Sequence, residues 1–186
     1  MHRRRRSRAT ARKDGMIELA LQLRLDDTAA TEILGCALAR ALPSTAVSPA
    51  VCYLRGELGA GKTTCVRSLL RALGVTGIVR SPTYTLIETY AAGSVECVHV
   101  DLYRLQGPLD LDDLGLREFW TAGHLLLVEW PERAGDALAP PDLDLDLVYH
   151  DVGRGACLRA ASSLGAQWLA QVRNDSSITP YLSNLT

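Results

Sequence analysis

Residues 50–73, AVCYLRGELGAGKTTCVRSLLRAL, pass from a short apolar run through a glycine-rich turn into a second apolar pattern. Val51 to Leu54 have the composition of a strand, and Val66, Leu69, Leu70 and Leu73 recur at helical spacing. Between them Gly56, Gly61, Lys62 and Thr63 satisfy G-x-x-x-x-G-K-[ST], the phosphate-cradling loop of P-loop NTPases. Gly56, Gly59 and Gly61 let the chain turn tightly and approach phosphate without a Cβ in the way. The N–H groups of Gly59 to Thr63 then face inward at the positive end of the following helix, which favours an anion there. Lys62 adds a point charge for the β- and γ-phosphates, and the Thr63 hydroxyl suits Mg²⁺. The candidate nucleotide site therefore runs through Gly56, Glu57, Leu58, Gly59, Ala60, Gly61, Lys62, Thr63 and Thr64.

Three further clusters fall where strand ends reach the same edge. Arg80-Ser81-Pro82-Thr83-Tyr84 is a hydroxyl-rich loop able to touch γ-phosphate and Mg²⁺, or else a simple Pro-containing turn before a strand. Asp101, in Asp101-Leu102-Tyr103-Arg104, can orient or deprotonate an attacking water; a helix cap or a surface ion pair would explain it equally well. Glu129 ends the apolar run Leu125 to Val128, where Walker-B acids hold Mg²⁺ through water. The usual acid there is Asp. An unpaired buried carboxylate is costly, so Glu129 needs a metal or another partner. Trp130 either packs beside the site or fills core.

The length of 186 residues suits one α/β domain. With 47% hydrophobic and 22% charged residues, the composition is that of an ordinary soluble globule. No run approaches the roughly 20 apolar residues needed to span a bilayer. Five cysteines (Cys36, Cys52, Cys65, Cys97 and Cys157), without C-x-x-C, read as reduced core thiols in a cytoplasm. His99, on a strand, reads as structural rather than as a ligand. Residues 1–13 hold seven of the 20 basic groups and no acid; the remaining 13 face 21 acidic groups, a balance of −8. Such an acidic body is a poor binder of polyanions by itself, so any nucleic acid would be held by a partner.

Alternation over Ile17 to Leu25 predicts a strand, and Asp26-Asp27-Thr28 supplies the cap of a helix that closes before Pro43. Alternation from Thr85 to Tyr90, a turn at Ala92-Gly93-Ser94 and a strand from Val95 to Tyr103 predict a hairpin. A short helix or two over Leu109 to Trp120 comes next, with Asp112 and Asp113 on its solvated side. A buried strand at 124–128 follows, then alternation over Leu143 to Leu147, a turn at Gly153-Arg154-Gly155, a strand over Cys157 to Ala161 and a helix over Ser163 to Val172. The expected fold is α/β: a three-layer P-loop NTPase-like domain, its central sheet mainly parallel, with antiparallel edge strands and a hairpin. That single domain covers 16–173. An Arg-rich extension, 1–15, expected to be disordered or to precede a true start at Met16, comes before it, and a flexible polar tail, 174–186, comes after.

GELGAGKTT at 56–64, SPTYTL at 81–86, HVDLYRL at 99–105 and VEWPE at 128–132 together resemble the bacterial TsaE (YjeE) family, the ATPases of tRNA threonylcarbamoyladenosine biosynthesis, over roughly residues 17 to 172. The resemblance implies ATP or ADP with Mg²⁺ as cofactors. It also implies TsaD and TsaB as partners: TsaD transfers the threonylcarbamoyl group, and tRNA is met only through that complex. By motif, Lys62 would bind phosphate, Thr63 and Glu129 would serve the metal, Asp101 would support hydrolysis, and Thr83 would sit in the switch-like loop. Asp27 and Gly153 match positions near the nucleotide base.

The expected activity is a cytoplasmic, partner-stimulated ATPase, weak alone. Two other readings stay open. A small-molecule kinase would need an Arg-rich lid, and Arg80, Arg104, Arg117 and Arg133 are isolated. A nucleotide-sensing subunit without catalysis would have little use for both Asp101 and Glu129. A GTPase would need Asn-Lys-x-Asp, which is absent; Asp112-Asp113-Leu114-Gly115 fits D-x-x-G but follows no buried strand.

Overall fold

The apolar run at 50–55 forms the middle of a seven-stranded sheet in a computed structural model that describes residues 20–105, 115–150 and 152–183. In chain order the elements are β1 (Ala20–Leu25), α1 (Thr28–Arg40), β2 (Ala50–Arg55), α2 (Lys62–Ala72), β3 (Ile87–Ala92), β4 (Val95–Asp101), β5 (His124–Glu129), β6 (Leu143–Tyr149), β7 (Arg154–Ala160) and α3 (Ser163–Asn174). Their order across the sheet is β1-β7-β6-β2-β5-β4-β3. β6, β2, β5 and β4 run parallel, β7 lies antiparallel between β1 and β6, and β3 pairs antiparallel with β4 as the expected hairpin. The fold is of the P-loop NTPase-like α/β kind, with a mainly parallel centre and antiparallel edges.

Alternation on the central strands sorts the core into two layers. Cys52, Leu54, Leu125 and Leu127 face the helices, where Leu34, Leu38, Val66, Leu69 and Trp168 pack. Val51, Tyr53, Leu126 and Val128 face the other way, beneath Leu102, Leu105, Leu116 and Ala134. The Trp168 indole N–H, fully buried, donates to the Leu38 carbonyl at 2.9 Å, so its burial strands no donor. Two helices carry side-chain caps: Asp27 accepts from the Ala30 N–H at 2.8 Å, and Ser162 from the Gly165 N–H at 3.0 Å. α2 starts from Gly61 without one. Among the described residues no helix is long and apolar enough to cross a membrane.

Some expectations need correction. The turn expected at Gly153-Arg154-Gly155 is shorter, because β7 begins at Arg154, paired with Tyr149. The helix expected over Leu109 to Trp120 appears, in its described part, only as a 3-10 turn at Leu116–Phe119; residues 106–114, with Asp112 and Asp113, lie outside the described residues. The segment after α3, expected to be a loose tail, packs against β1 as far as residue 183. Ile178 is fully buried, Leu182 bridges to Leu23, and the Ser183 N–H donates to the Gln22 carbonyl at 3.0 Å. Ile178, Tyr181 and Leu182 give this mostly polar stretch enough apolar surface to settle against the edge strand beside it. The Arg-rich extension at 1–15 lies outside the described residues.

Candidate functional site

The connection from β2 to α2 turns at three glycines with positive φ: Gly56 (128°), Gly59 (79°) and Gly61 (108°). A Cβ on Gly56 would fall 2.2 Å from the Leu147 carbonyl oxygen, so this position admits no other residue without moving β6. Because Gly61 offers α2 no side-chain cap, the first N–H groups of the helix stay available to an external acceptor. Lys62, the first helical residue, folds back so that its ammonium donates to the Gly56 carbonyl at 2.7 Å and the Glu57 carbonyl at 2.9 Å. The same nitrogen stands 3.9 Å from the centroid of the Trp130 ring. Burial pushes the Lys62 pKa down, while the carboxylates of Glu129, Asp101 and Glu132 pull it the other way. Trp130 reaches this place from a left-handed backbone conformation, φ 59°, directly after β5.

At the next residue, the Thr63 hydroxyl donates to Glu129, 2.9 Å from Oε1 and 3.1 Å from Oε2. His99 Nε2–H donates to the same Oε1 at 2.9 Å. Asp101 stands on the neighbouring strand, paired in register with Glu129. Its Oδ2 accepts from Ser81 and, at 3.0 Å, from Thr83, and its Oδ1 accepts from the Tyr103 N–H at 3.0 Å. Lys62, Thr63, Thr83, Asp101, Glu129 and Trp130 thus line one cavity of about 420 Å³. The three clusters separated in sequence converge on the glycine loop.

The oxygens present fit a hard cation such as Mg²⁺. Among the described residues no three His, Cys, Asp or Glu side chains are grouped to hold a metal by themselves. Mg²⁺ is commonly bound by one or two protein oxygens, with phosphate and water completing its shell, and Thr63 and Glu129 supply that number.

Asp27 and Gly153 form a second corner. Gly153 lies so close to β1 that a Cβ would fall 2.4 Å from the Leu25 carbonyl oxygen and 2.7 Å from Asp26 Cα. The Asp27 carboxylate is engaged in capping α1. Thr31 of α1 and Arg154 both come close to Gly61, which ties this corner to the loop. Ser81, read only as part of the hydroxyl-rich loop, and His99, read as structural, each contact a site acid. For His99 the signal was its spacing: two residues before Asp101 on a strand, it faces the same way.

A glycine loop between a central parallel strand and a helix, with two acids at the ends of adjacent strands, defines the P-loop NTPase-like class of α/β proteins. The family model "Threonylcarbamoyl adenosine biosynthesis protein TsaE" matches residues 25–156. The Haemophilus influenzae tRNA threonylcarbamoyladenosine biosynthesis protein TsaE is 38% identical over 122 residues, covering 66% of this chain and 77% of that one. The Synechocystis protein of the same name is 39% identical, covering 63% and 74%. The crystal structure of Bacillus subtilis YdiB superposes with a TM-score of 0.66 at 27% identity, covering 86% of this chain and 98% of that one. The chain belongs to the TsaE family of threonylcarbamoyladenosine biosynthesis proteins.

Proposed function

We propose that the protein is a Mg²⁺-dependent ATPase that serves the threonylcarbamoyladenosine modification of tRNA together with TsaD and TsaB. The observation carrying this reading is the convergence of Lys62, Thr63, Asp101 and Glu129 on one cavity at the uncapped start of α2. The loop N–H groups and Lys62 bind the triphosphate, with the adenosine end toward Asp27 and Gly153. Thr63 and Glu129 hold Mg²⁺, which supplies charge neutralisation of the β- and γ-phosphates. Asp101 orients a water and takes its proton as the oxygen bonds to the γ-phosphorus; the bond from that phosphorus to the bridging oxygen breaks, leaving ADP and phosphate. Thr83 turning from Asp101 toward phosphate frees an acceptor on Oδ2, which makes the loop at 81–84 sensitive to the nucleotide state.

Turnover alone is expected to be slow, since a charge supplied by a partner is worth about 10³ to 10⁵ in rate in P-loop enzymes. The test is calorimetric titration of the full chain with Mg·ATP and ADP, followed by phosphate release with and without TsaD and TsaB. Uptake of both nucleotides, loss of uptake in Lys62→Ala, and stimulation by the partners are the expected results. No uptake by the wild-type chain overturns the reading. Uptake without hydrolysis in the complete system with tRNA would make the protein a nucleotide sensor instead.

A further inference from the structure

The back of the glycine loop, away from the cavity, is held by two side chains from the β6–β7 hairpin. The Tyr149 hydroxyl donates to the Leu58 carbonyl at 3.2 Å, and Arg154 Nη1 donates to the Ala60 carbonyl at 3.1 Å. The two residues are direct partners across the β6–β7 ladder, so they reach the loop as a pair. In a planar trans peptide the C=O and the following N–H point in opposite directions. Fixing the Leu58 oxygen outward therefore aims the Gly59 N–H inward, and fixing the Ala60 oxygen outward aims the Gly61 N–H inward. The Ala60 N–H between them is already used, donating to the Glu57 carbonyl at 3.1 Å.

We propose that Tyr149 and Arg154 form a positioning brace that presets the Gly59 and Gly61 amides for a phosphate-bearing ligand, a role that rests, for the ligand, on the nucleotide reading above. The glycines themselves support the brace. A Cβ at Gly59 would fall 2.6 Å from the Tyr149 hydroxyl, and one at Gly61 would fall 2.3 Å from Arg154 Nη1. The phosphate-loop pattern requires glycine at 56 and 61 but leaves 59 open. The brace gives position 59 its own reason to be glycine, alongside its φ of 79°. Arg154 Nε is buried without a hydrogen-bond partner among the described residues, a cost borne to keep the guanidinium against the loop. Preset amides spare the ligand the ordering of a loop with three left-handed glycines.

The test uses the full-length chain and two variants, Tyr149→Phe and Arg154→Gln, with Arg154→Lys as the conservative rescue. Tyr149 is half-exposed, so loss of its hydroxyl leaves the fold intact. Backbone ¹⁵N relaxation in nucleotide-free protein reads the brace directly. Order parameters near 0.85 are expected at Gly59 and Gly61 in the wild type, falling toward 0.6 or below at Gly59 in Tyr149→Phe and at Gly61 in Arg154→Gln. Calorimetry with ADP should show about three- to tenfold weaker binding in each variant, partly restored in Arg154→Lys, with turnover in the complex affected through KM more than kcat. Unchanged order parameters overturn the brace whatever the nucleotide does, and loosened glycines with unchanged ADP affinity overturn its role in binding. Failure of the wild type to bind ADP overturns the nucleotide reading, while relaxation still decides the brace.

Discussion

Asp101 and Glu129 are register partners across the parallel β4–β5 ladder, and each ends its strand at the same edge of the sheet. Both are buried, 3% and 2% exposed, yet among the described residues their side chains have no hydrogen-bonding neighbour in common. Asp101 is held by the loop hydroxyls of Ser81 and Thr83, whereas Glu129 is held by Thr63 of the glycine-loop helix and by His99. Two like charges so close can divide a task only if their surroundings differ. Asp101→Asn is therefore expected to bind Mg·ATP within about threefold of wild type but to lose about 10² to 10⁴ in single-turnover hydrolysis with the partners present. Glu129→Gln should instead weaken Mn²⁺ affinity measured by electron paramagnetic resonance in the presence of ADP. Equal loss of metal affinity in both variants would show that the two acids are not functionally distinct.

His99 offers a test of the buried carboxylate that needs no nucleotide. Its Nδ1 has no partner among the described residues, so the hydrogen bond from Nε2 to Glu129 is the ring's one polar contact there. His99→Leu removes a donor from a carboxylate that cannot turn to bulk water, at an expected cost of about 1–3 kcal/mol in urea unfolding. Replacing both groups removes the orphaned charge as well. His99→Leu combined with Glu129→Leu should therefore regain much of that loss, whereas additive destabilisation would mean that the pair contributes packing rather than a hydrogen bond.

Much of this site was legible because its chemistry is local. The pattern from Gly56 to Thr63 dictates turn, helix start and cation within eight residues, and Asp101 and Glu129 each end a strand whose apolar run is visible. Cβ alternation placed the acids on one face, and the parallel order of the strands brought them side by side. Tyr149 and Arg154 lie about ninety residues beyond the loop they hold, and nothing in a hydropathy pattern specifies that contact. The same limit hid the packing of Ile178: Ile178, Tyr181 and Leu182 are too few among polar residues to establish a period. The cap role of Asp27 was readable from its position before Thr28, while the crowding of Gly153 against Leu25 depends on β1 lying beside β7.

The segment after α3 predicts an acid-sensitive step in stability. The hydrogen bond from Arg40 holds the Asp175 carboxyl at about 2, below its ordinary 3.8, with further bonds from Ser177 acting in the same sense and burial opposing them. A carboxyl whose folded pKa is depressed contributes stability that is complete above about pH 4 and is lost as pH falls through about 2. Arg40 is half-exposed, so water and salt screen the pair and the step is modest. Urea unfolding of the wild type should weaken across that window, and Asp175→Asn should lack the same component. Identical pH profiles would remove the pair from any account of acid stability.

The placement of α2, and with it Lys62 and Thr63, depends on how closely α1 approaches it at Gly35. A Cβ there would fall 2.3 Å from the Cys65 carbonyl oxygen, 2.9 Å from Ser68 Cβ and 3.1 Å from the Leu69 N, so the obstacle is mostly helix backbone. Alanine is the better helix former by about 1 kcal/mol, and on propensity alone Gly35→Ala would stabilise α1. Overpacking against backbone that cannot rotate away costs about 1–3 kcal/mol, which outweighs that gain. Gly35→Ala is thus expected to lower urea stability and also ADP affinity, because the helix that must yield carries the phosphate-binding residues at its start. Gly77→Ala is the matched control: a Cβ there would meet no atom within 4 Å, so stability should change by no more than about 0.5 kcal/mol. Destabilisation of Gly35→Ala with ADP affinity intact would mean that the helices separate at Gly35 without moving the start of α2. A stabilised Gly35→Ala would mean that the close approach does not fix the helix pair at all.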